Sequence, residues 1–317
     1  MHGRLPEPFT DIELDLADRR VGKVRISYAL ADLERLFVTT DRLSAFDRVI
    51  AAVPYKGQVL NELAAWWFAN TSDIIANHVR GVPDPNVTIG VDATPLPVEV
   101  VVRGYITGVT STSLWHRYSH GERMIYGYRF PDGLRQHQQL DMPLITPTTK
   151  AHAGAHDEPI SCGEVVSGAH VAPDVWAEVE AAALGLFARG QQVASAAGLI
   201  LADTKYEFGI DPEGQLILID EMHTPDSSRF WVAATYDERL HHNEDPESLD
   251  KEPIRRALIA AGYDGNGPSP ELGPTVVAET SARYINAFER LTCRPFQPGS
   301  YPVQPRLTAA LQQSGVL

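Results

Sequence analysis

Residues 198–231 read GLILADTKYEFGIDPEGQLILIDEMHTPDSSRFW. Two short apolar runs, 199–202 and 216–219, lie on either side of the Asp-Pro-Glu-Gly segment 211–214, whose residue types favour a turn. Apolar runs separated by a short turn are typical of a β-hairpin. The segment therefore predicts a hairpin, and the rest of the chain can be read outward from it.

Charged residues follow the first strand of this hairpin at every second position. Asp203, Lys205 and Glu207 therefore share one face of the strand. With 211–214 as the loop, Asp220 faces Lys205 and Glu207 lies on the diagonal, whereas a slip of one residue sends Asp220 to the other face. In a magnesium site that also uses nucleotide phosphates as ligands, the protein usually contributes two carboxylates. The alternative is an exposed edge hairpin with a solvated charged face.

Composition narrows the class of protein. The chain has 317 residues, of which 44% are hydrophobic and 21% charged, as in ordinary globular proteins. A net charge of −14 argues against nucleic acid or an anionic membrane as the main partner. Two cysteines form neither a disulfide framework nor a zinc site, so we expect a reducing cytoplasm. The first residues lack the apolar core of a signal peptide, and no apolar run reaches 18 residues.

Periodicity and turn residues predict the other elements. We expect strands at 21–30, 36–39 and 98–102 and helices at 57–72, 173–198, 251–261 and 275–291, with Gly198 ending the second helix. A proline-rich stretch predicts a boundary between two domains, 1–97 and 98–317. Residues 145–161 read as a loop, and the last twenty residues read as a tail packed on the surface.

Two segments contain polar residues that suit ligand binding. Arg103 precedes the hydroxyl-rich loop 107–113, a combination that favours phosphate binding, although a structural arginine satisfied by carbonyl groups is an equal alternative. The loop 145–161 contains two histidines, but a glycine and flanking prolines disfavour the helix that a zinc pair at this spacing requires. We therefore predict polar substrate contacts from Lys150 and Asp157 rather than a zinc site.

The complete set of motifs resembles the SAICAR synthetase family. The segments that carry the resemblance are GKVR at 22–25, TDRLSAFD at 40–47, VVRGYITG at 101–108, TPTTK at 146–150, DTKYEFG at 203–209, LIDE at 218–221 and TPDSSRFW at 224–231. Several motifs in the family order are far more specific than any one of them. The resemblance extends from about residue 22 to about residue 296.

The resemblance implies a two-lobed α+β fold, with an ATP-binding half similar to that of protein kinases and of ATP-grasp type. It implies a ligase that uses ATP and Mg²⁺ to join the carboxylate of carboxyaminoimidazole ribonucleotide to the amino group of L-aspartate, in purine biosynthesis. The expected partners are therefore small molecules. The longer members of the family are often monomers, which favours a monomer here.

The resemblance also assigns roles to residues. It places the ATP site at Gly22, Lys23, Val24, Arg25, Glu99, Val101, Lys205, Glu207 and Asp220, and Mg²⁺ at Glu207 and Asp220. It places the reacting groups at Lys205, Asp203 and Arg229. It places the substrates at Asp41, Ser44, Asp47, Arg103, Thr110, Ser111, Lys150, Asp157, Asp226, Ser227, Ser228 and Arg229.

The chain departs from the family pattern near the expected acceptor nucleotide. Val109 stands where the family usually has a serine that contacts the nucleotide phosphate, so Thr110 or Ser111 is expected to replace that contact. Ile26, Ser27 and His152 also differ from the usual residues. A related ligase that acts on another nucleotide or C-nucleoside is therefore an alternative, and a small-molecule kinase is an alternative of another class.

Overall fold

The computed structural model describes residues 5–46, 48–150, 158–263, 265 and 267–317. Its strands are β1 (Ala17–Val21), β2 (Arg25–Ala29), β3 (Glu34–Thr39), β4 (Arg42–Ala45), β5 (Arg48–Ala52), β6 (Val79–Asp84), β7 (Val87–Val91), β8 (Thr94–Tyr105), β9 (Met124–Ile125), β10 (Tyr128–Arg129), β11 (Gln139–Thr149), β12 (Leu199–Ile210), β13 (Leu216–Ile219) and β14 (Ser228–Val232). Its helices are α1 (Lys56–Ala69), α2 (Leu114–Ser119), α3 (Cys162–Ser167), α4 (Pro173–Ala196), α5 (Ala233–His241), α6 (Glu252–Ala260), α7 (Pro274–Thr292) and α8 (Val303–Gln313).

Two antiparallel sheets organise these elements. The first has the strand order β1-β2-β3-β7-β6, and the second has the order β11-β8-β12-β13, with β14 also paired to β12. Helices and antiparallel sheets together confirm the predicted α+β class. The likeness of one half to protein kinases stays a prediction. The division at residues 97 and 98 also stays a prediction, and it falls within β8.

The second sheet has one apolar and one polar face because side chains alternate along its strands. In β8, Val98, Val100 and Val102 are buried, and they belong to the same core as Leu186 of α4 and Trp67 of α1. The residues between these valines point to the opposite face. The apolar face anchors the sheet, so the opposite face is available for chemistry.

Helix α4 confirms the sequence prediction at both ends. Pro173 stands at its first position, where a missing N–H costs nothing. Gly198 follows the C-cap residue with a φ of +68°, the left-handed conformation that glycine adopts without a steric penalty. The helix therefore ends where β12 begins.

Two predictions about irregular segments were wrong. Residues 145–149 belong to β11, which pairs with β8 from Leu144 to Thr149 and therefore forms an edge of the second sheet. Residues 303–313 form helix α8 rather than a surface tail. Prolines and glutamines hid its apolar spacing, in which Val303, Leu307 and Leu311 recur every four residues and pack in a core with Ile26, Tyr28 and Leu36 of the first sheet.

We expect Leu307→Ala to lower the free energy of unfolding by about 2–5 kcal/mol, because it removes a fully buried side chain from the contact between α8 and the first sheet. Urea denaturation of the purified variant measures this change. Thr308→Ala, on the neighbouring half-buried position, is the control and should cost about 0.5 kcal/mol or less. Equal losses for the two variants would contradict the packing role of α8.

Candidate active site

Charged side chains converge on the polar face of the second sheet. Asp203 of β12 lies directly opposite Arg103 of β8 on one side and opposite Arg229 of β14 on the other. Four residue pairs further along, Glu207 lies opposite Glu99. Because alternate residues share a face, this register brings together residues from three strands that are far apart in sequence.

Lys205 stands at the centre of the first cluster. Its Nζ lies 2.9 Å from Oε1 of Glu99 and also forms a salt bridge with Oε1 of Glu207, whereas Nζ of Lys150 lies 2.5 Å from the other oxygen of Glu207. Burial alone would lower the pKa of Lys205, but Glu207, Glu99 and Asp220 hold that pKa well above its ordinary value. Lys205 is therefore a fixed cation, suited to stabilising negative charge and unsuited to accepting a proton.

Glu207 is ionised for the complementary reason. Burial would raise the pKa of its carboxyl, but Lys205 and Lys150 hold that pKa well below its usual range. An ionised carboxylate in a partly enclosed site is a good ligand for a hard cation.

The predicted hairpin register was wrong by one residue. The loop contains the five residues 211–215, so Ile210 pairs with Leu216 and Glu207 pairs with Ile219. A continued strand would direct Asp220 to the apolar face, but β13 ends at Ile219 and Asp220 has a φ of +65°. This left-handed residue turns the chain, and Asp220 lies close enough to Lys205 to raise its pKa.

Arg25 connects the first sheet to this cluster. Its guanidinium forms a salt bridge with Asp220 and lies 3.2 Å from Oε2 of Glu221. The preceding turn, which includes Gly22 and Lys23, closes through a hydrogen bond of 2.8 Å from the N–H of Gly22 to the carbonyl of Arg25. Val24 in this turn is half-buried, and Val101 lies between Glu99 and Arg103 on β8. The predicted ATP segment therefore lies beside the predicted metal carboxylates.

A second cluster surrounds Asp203. Its Oδ2 lies 2.5 Å from Nη1 of Arg229 and 3.5 Å from Nη1 of Arg103, and all three side chains are largely buried. Arg103 also donates a hydrogen bond of 2.8 Å to Oγ1 of Thr146, and Arg229 lies 3.3 Å from Glu252. Two arginines held close together by carboxylates concentrate positive charge, which suits an anionic ligand.

Asp226 lies deeper than the sequence suggested. Its carboxylate accepts hydrogen bonds of 2.8 Å from the fully buried Lys56 and 2.6 Å from the hydroxyl of Tyr284. Burial would raise the pKa of Asp226, but Lys251 and Lys56 hold it well below its usual range. Burial also lowers the pKa of Lys251, to about 8. Sequence reasoning missed Lys56, Tyr284 and Lys251, because their contacts with Asp226 join separate segments of the chain.

The other predicted substrate residues lie in varied surroundings. Asp41 is fully buried and accepts hydrogen bonds from the N–H groups of Phe9 and Gly57 and from the hydroxyl of Tyr301, at 2.8, 2.9 and 2.8 Å. Its contacts therefore position the start of α1. Ser44 on β4, Thr110 and Ser111 are half-buried or exposed, and the side chains of Ser227 and Ser228 hydrogen-bond Thr224 and Thr204. Asp47 and Asp157 lie outside the described residues, as does His152.

The residues present fit a magnesium ion carried by a nucleotide. Among the residues that the structure describes, no group of three or more His, Cys, Asp or Glu side chains is assembled to hold a metal. Glu207 and Asp220 offer carboxylate oxygens at one end of the cluster, and Mg²⁺ commonly takes one or two carboxylates and completes its shell with substrate phosphates and water.

Comparison with known proteins accounts for this combination of motifs and geometry. The sequence model of the SAICAR synthetase family matches residues 19–270. The chain belongs to this family.

Several SAICAR synthetases resemble the chain over most of its length. A Legionella pneumophila (strain Lens) protein named phosphoribosylaminoimidazole-succinocarboxamide synthase is 46% identical over 317 residues, which cover 97% of this chain and 99% of that protein. A Mesorhizobium japonicum protein, provisionally named as a second such synthase, is 49% identical over 277 residues, which cover 87% and 88%. The Saccharomyces cerevisiae SAICAR synthase, solved in complex with SAICAR, is 33% identical with a TM-score of 0.78, covering 91% of this chain and 99% of that one.

The described helices also bear on a membrane location. None of those in residues 5–46, 48–150, 158–263, 265 and 267–317 is both long and apolar enough to cross a membrane.

Proposed function

We propose that this protein is an ATP- and Mg²⁺-dependent ligase that joins the carboxylate of carboxyaminoimidazole ribonucleotide to the amino group of L-aspartate. The products are SAICAR, ADP and phosphate. The observation that carries the proposal is the polar sheet face, on which a lysine–carboxylate cluster lies beside an arginine pair within a fold shared with SAICAR synthetases. The first cluster suits ATP and the second suits an acceptor nucleotide.

The chemistry requires activation, because a carboxylate at neutral pH is a poor acyl donor. Transfer of the γ-phosphoryl group to a carboxylate oxygen gives an acyl phosphate and ADP. The amine then attacks the carbonyl carbon, the C–O bond to phosphate breaks, and the amine loses a proton. Bound Mg²⁺ would neutralise charge on the phosphates, and the protein contributes positioning and fixed positive charge.

The first cluster and the turn above it serve ATP. Gly22, Lys23, Val24 and Arg25 lie over the phosphates, and the backbone around Glu99 and Val101 follows the adenine. Glu207 and Asp220 hold Mg²⁺. Lys205 stabilises the transferring phosphoryl group and is itself held by Glu99 and Glu207.

The second cluster serves the ribonucleotide. Arg103 and Arg229 contact its phosphate, with Asp203 holding both guanidinium groups in place. Thr110, Ser111, Ser227 and Ser228 supply hydroxyl groups at the same end of the sheet. Lys150 lies at the other end, within reach of the reacting carboxylate, and Asp157 is proposed beside it. Asp226, Asp41, Ser44 and Asp47 complete the proposed substrate set, the first two by supporting the site from within the core.

A product assay tests the proposal. Purified protein is incubated with Mg·ATP, L-aspartate and carboxyaminoimidazole ribonucleotide, and phosphate release is measured together with the mass of the product. We expect a succinocarboxamide product and phosphate release that requires the amine, because free phosphate leaves only when aspartate attacks the acyl phosphate. A phosphorylated product that persists without aspartate would indicate a kinase instead.

The related ligase remains the second candidate because Val109 departs from the family pattern at the acceptor site. ATP hydrolysis supported by another carboxylated heterocyclic nucleotide, but not by carboxyaminoimidazole ribonucleotide, would favour it. A cytoplasmic location and a monomeric state remain predictions of the sequence.

A further inference from the structure

His137 is buried between two hydrogen-bonding partners that no part of the proposed mechanism uses. Its Nδ1 lies 2.9 Å from Oγ1 of Thr107, and its Nε2 lies 3.0 Å from Oδ1 of Asp245. The residue is only 3% exposed, and its imidazole packs edge-on against Trp231, with the ring centroids 5.5 Å apart. Hydroxyl, imidazole and carboxylate therefore form a continuous hydrogen-bonded chain.

The chemistry of the partners fixes the direction of both hydrogen bonds. Burial lowers the pKa of His137, so its imidazole is neutral at neutral pH. An ionised carboxylate only accepts hydrogen bonds, so Nε2 carries the proton and donates it to Asp245. Nδ1 is then an acceptor, and the hydroxyl of Thr107 donates to it. Asp245 thus determines, through His137, the orientation of the Thr107 hydroxyl.

The hydrogen-bonded chain that contains His137 continues through salt bridges to Arg229. Asp245 forms a salt bridge with Arg256, whose Nε lies 3.9 Å from Oε1 of Glu252. Glu252 in turn lies 3.3 Å from Nη2 of Arg229. Arg229 in turn lies beside the loop that contains Thr107, so these contacts form a closed circuit.

Gly108 completes this circuit on the loop side. It follows Thr107 in sequence and has a φ of +98°, and a Cβ atom built on it would lie 3.1 Å from Nη2 of Arg229 and 2.4 Å from Oγ of Ser113. The loop backbone therefore passes directly beside the Arg229 guanidinium. A small displacement of Thr107 would change this contact.

The backbone of His137 adopts a conformation that favours glycine over residues with a side chain. Its φ is +66°, a left-handed conformation that costs of order 1–3 kcal/mol for a residue other than glycine. The backbone is nevertheless held firmly. The N–H of His137 donates to the carbonyl of Ile106 at 2.7 Å, and its carbonyl accepts a hydrogen bond of 2.7 Å from the hydroxyl of Tyr236. Glycine would relieve the strain but would remove the imidazole.

We propose that His137 is a positioning residue for the acceptor nucleotide: through Thr107 it holds the loop 106–113 against Arg229 and thereby sets the affinity for the nucleotide phosphate. This inference rests on the proposed role of Arg229 in binding the ribonucleotide. It adds Thr107, His137 and Asp245 to the determinants of that affinity, although His137 and Asp245 touch no reacting atom.

The test compares a hydroxyl deletion with its conservative partner. Thr107→Val removes the donated hydrogen bond at constant shape, and Thr107→Ser retains it. We expect Thr107→Val to raise KM for carboxyaminoimidazole ribonucleotide about tenfold, the net value of one good hydrogen bond, and to leave KM for ATP and kcat within about twofold. His137→Asn, which tolerates the left-handed backbone, should act in the same way. Thr107→Ser should match the unchanged protein within about twofold.

Nitrogen chemical shifts of the histidine ring supply a readout that packing alone would not produce. In ¹⁵N-labelled protein, His137 should show the tautomer protonated at Nε2, and Asp245→Asn should shift the ring toward a tautomer mixture while raising KM for the nucleotide. Parallel rises in both KM values, or a kcat that falls as much as 1/KM, would overturn the positioning role. An unchanged nucleotide KM in Thr107→Val would overturn it equally.

Binding measurements separate this inference from the proposed function. Calorimetric titration of carboxyaminoimidazole ribonucleotide, without ATP, reports affinity whether or not turnover follows. If the unchanged protein gives no succinocarboxamide product, the proposed function fails. Titration with inorganic phosphate then still tests the positioning role of His137. If Thr107→Val binds the phosphate ligand about tenfold more weakly than Thr107→Ser, the positioning role is supported. Equal binding by the two variants overturns it.

Discussion

Replacing Glu207 by glutamine is expected to lower kcat by about 10³-fold while the protein stays folded. The change keeps the size of the side chain but removes an ionised carboxylate that is proposed to hold Mg²⁺ and that pairs with Lys205 and Lys150. Metal-assisted charge stabilisation is worth several kcal/mol, which corresponds to this fall in rate. The measurement is the steady-state rate of product formation at saturating substrates over a range of Mg²⁺ concentrations.

Glu99→Gln is the matched control, because Glu99 lies directly opposite Glu207 and also binds Lys205. Both substitutions remove one negative charge beside the same ammonium group. Only Glu207→Gln should raise the Mg²⁺ concentration needed for half-maximal rate, by about tenfold or more. If the two variants shift the Mg²⁺ requirement equally, Glu207 acts through Lys205 rather than through the metal.

Lys56→Met is expected to have the largest effect on stability, a loss of about 3–5 kcal/mol in the free energy of unfolding. Lys56 is fully buried, and its ammonium group lies 2.8 Å from Oδ2 of Asp226. Its removal leaves a buried carboxylate whose remaining partners are the Tyr284 hydroxyl and the Lys251 ammonium group, 4.0 Å away. Denaturant unfolding without substrates measures the loss.

The double variant Lys56→Met/Asp226→Leu tests whether the loss comes from an unpaired charge. Replacing both partners of a buried ion pair by apolar residues is often nearly neutral, so the double variant should recover most of the stability. Effects that simply add would mean that the two residues are not coupled. Recovery would also show that Asp226 acts first as a structural residue.

The pH dependence of stability should also report the ion pair between Lys56 and Asp226. The folded-state pKa of Asp226 lies below its unfolded value of about 3.9, so its contribution to stability is complete above that pH and declines as the pH falls further. The loss of stability below about pH 4 should therefore be shallower in the double variant than in the unchanged protein. An identical acid profile would contradict the depressed pKa.

Much of the sheet that carries the site could be read from residues 198–231. Alternation along a strand depends only on local backbone geometry, so the shared face of Asp203, Lys205 and Glu207 follows from the sequence. The apolar run at 98–102 and the end of α4 at Gly198 are local signals of the same kind. Elements of this type require no knowledge of their neighbours.

The remaining features depend on contacts that a linear sequence does not display. The hairpin register differs from the prediction because the loop contains one more residue than expected. The left-handed conformation of Asp220 then directs its carboxylate to the polar face. Lys56 and Tyr284 meet Asp226 from two different helices. Such partners are set by tertiary packing, and in the sequence each looks like an ordinary lysine or tyrosine of a helix.

The position of helix α8 in the chain determines when the core of the first sheet can be completed during synthesis. The face of the first sheet that it covers is built from β2 and β3, which are synthesised early, whereas α8 is the last of the described elements to be synthesised. A nascent chain therefore exposes the apolar side chains of β2 and β3 until translation has passed Leu311. During that interval we expect the exposed apolar face to be prone to aggregation and to attack by proteases, so interrupted translation should yield fragments that are degraded quickly.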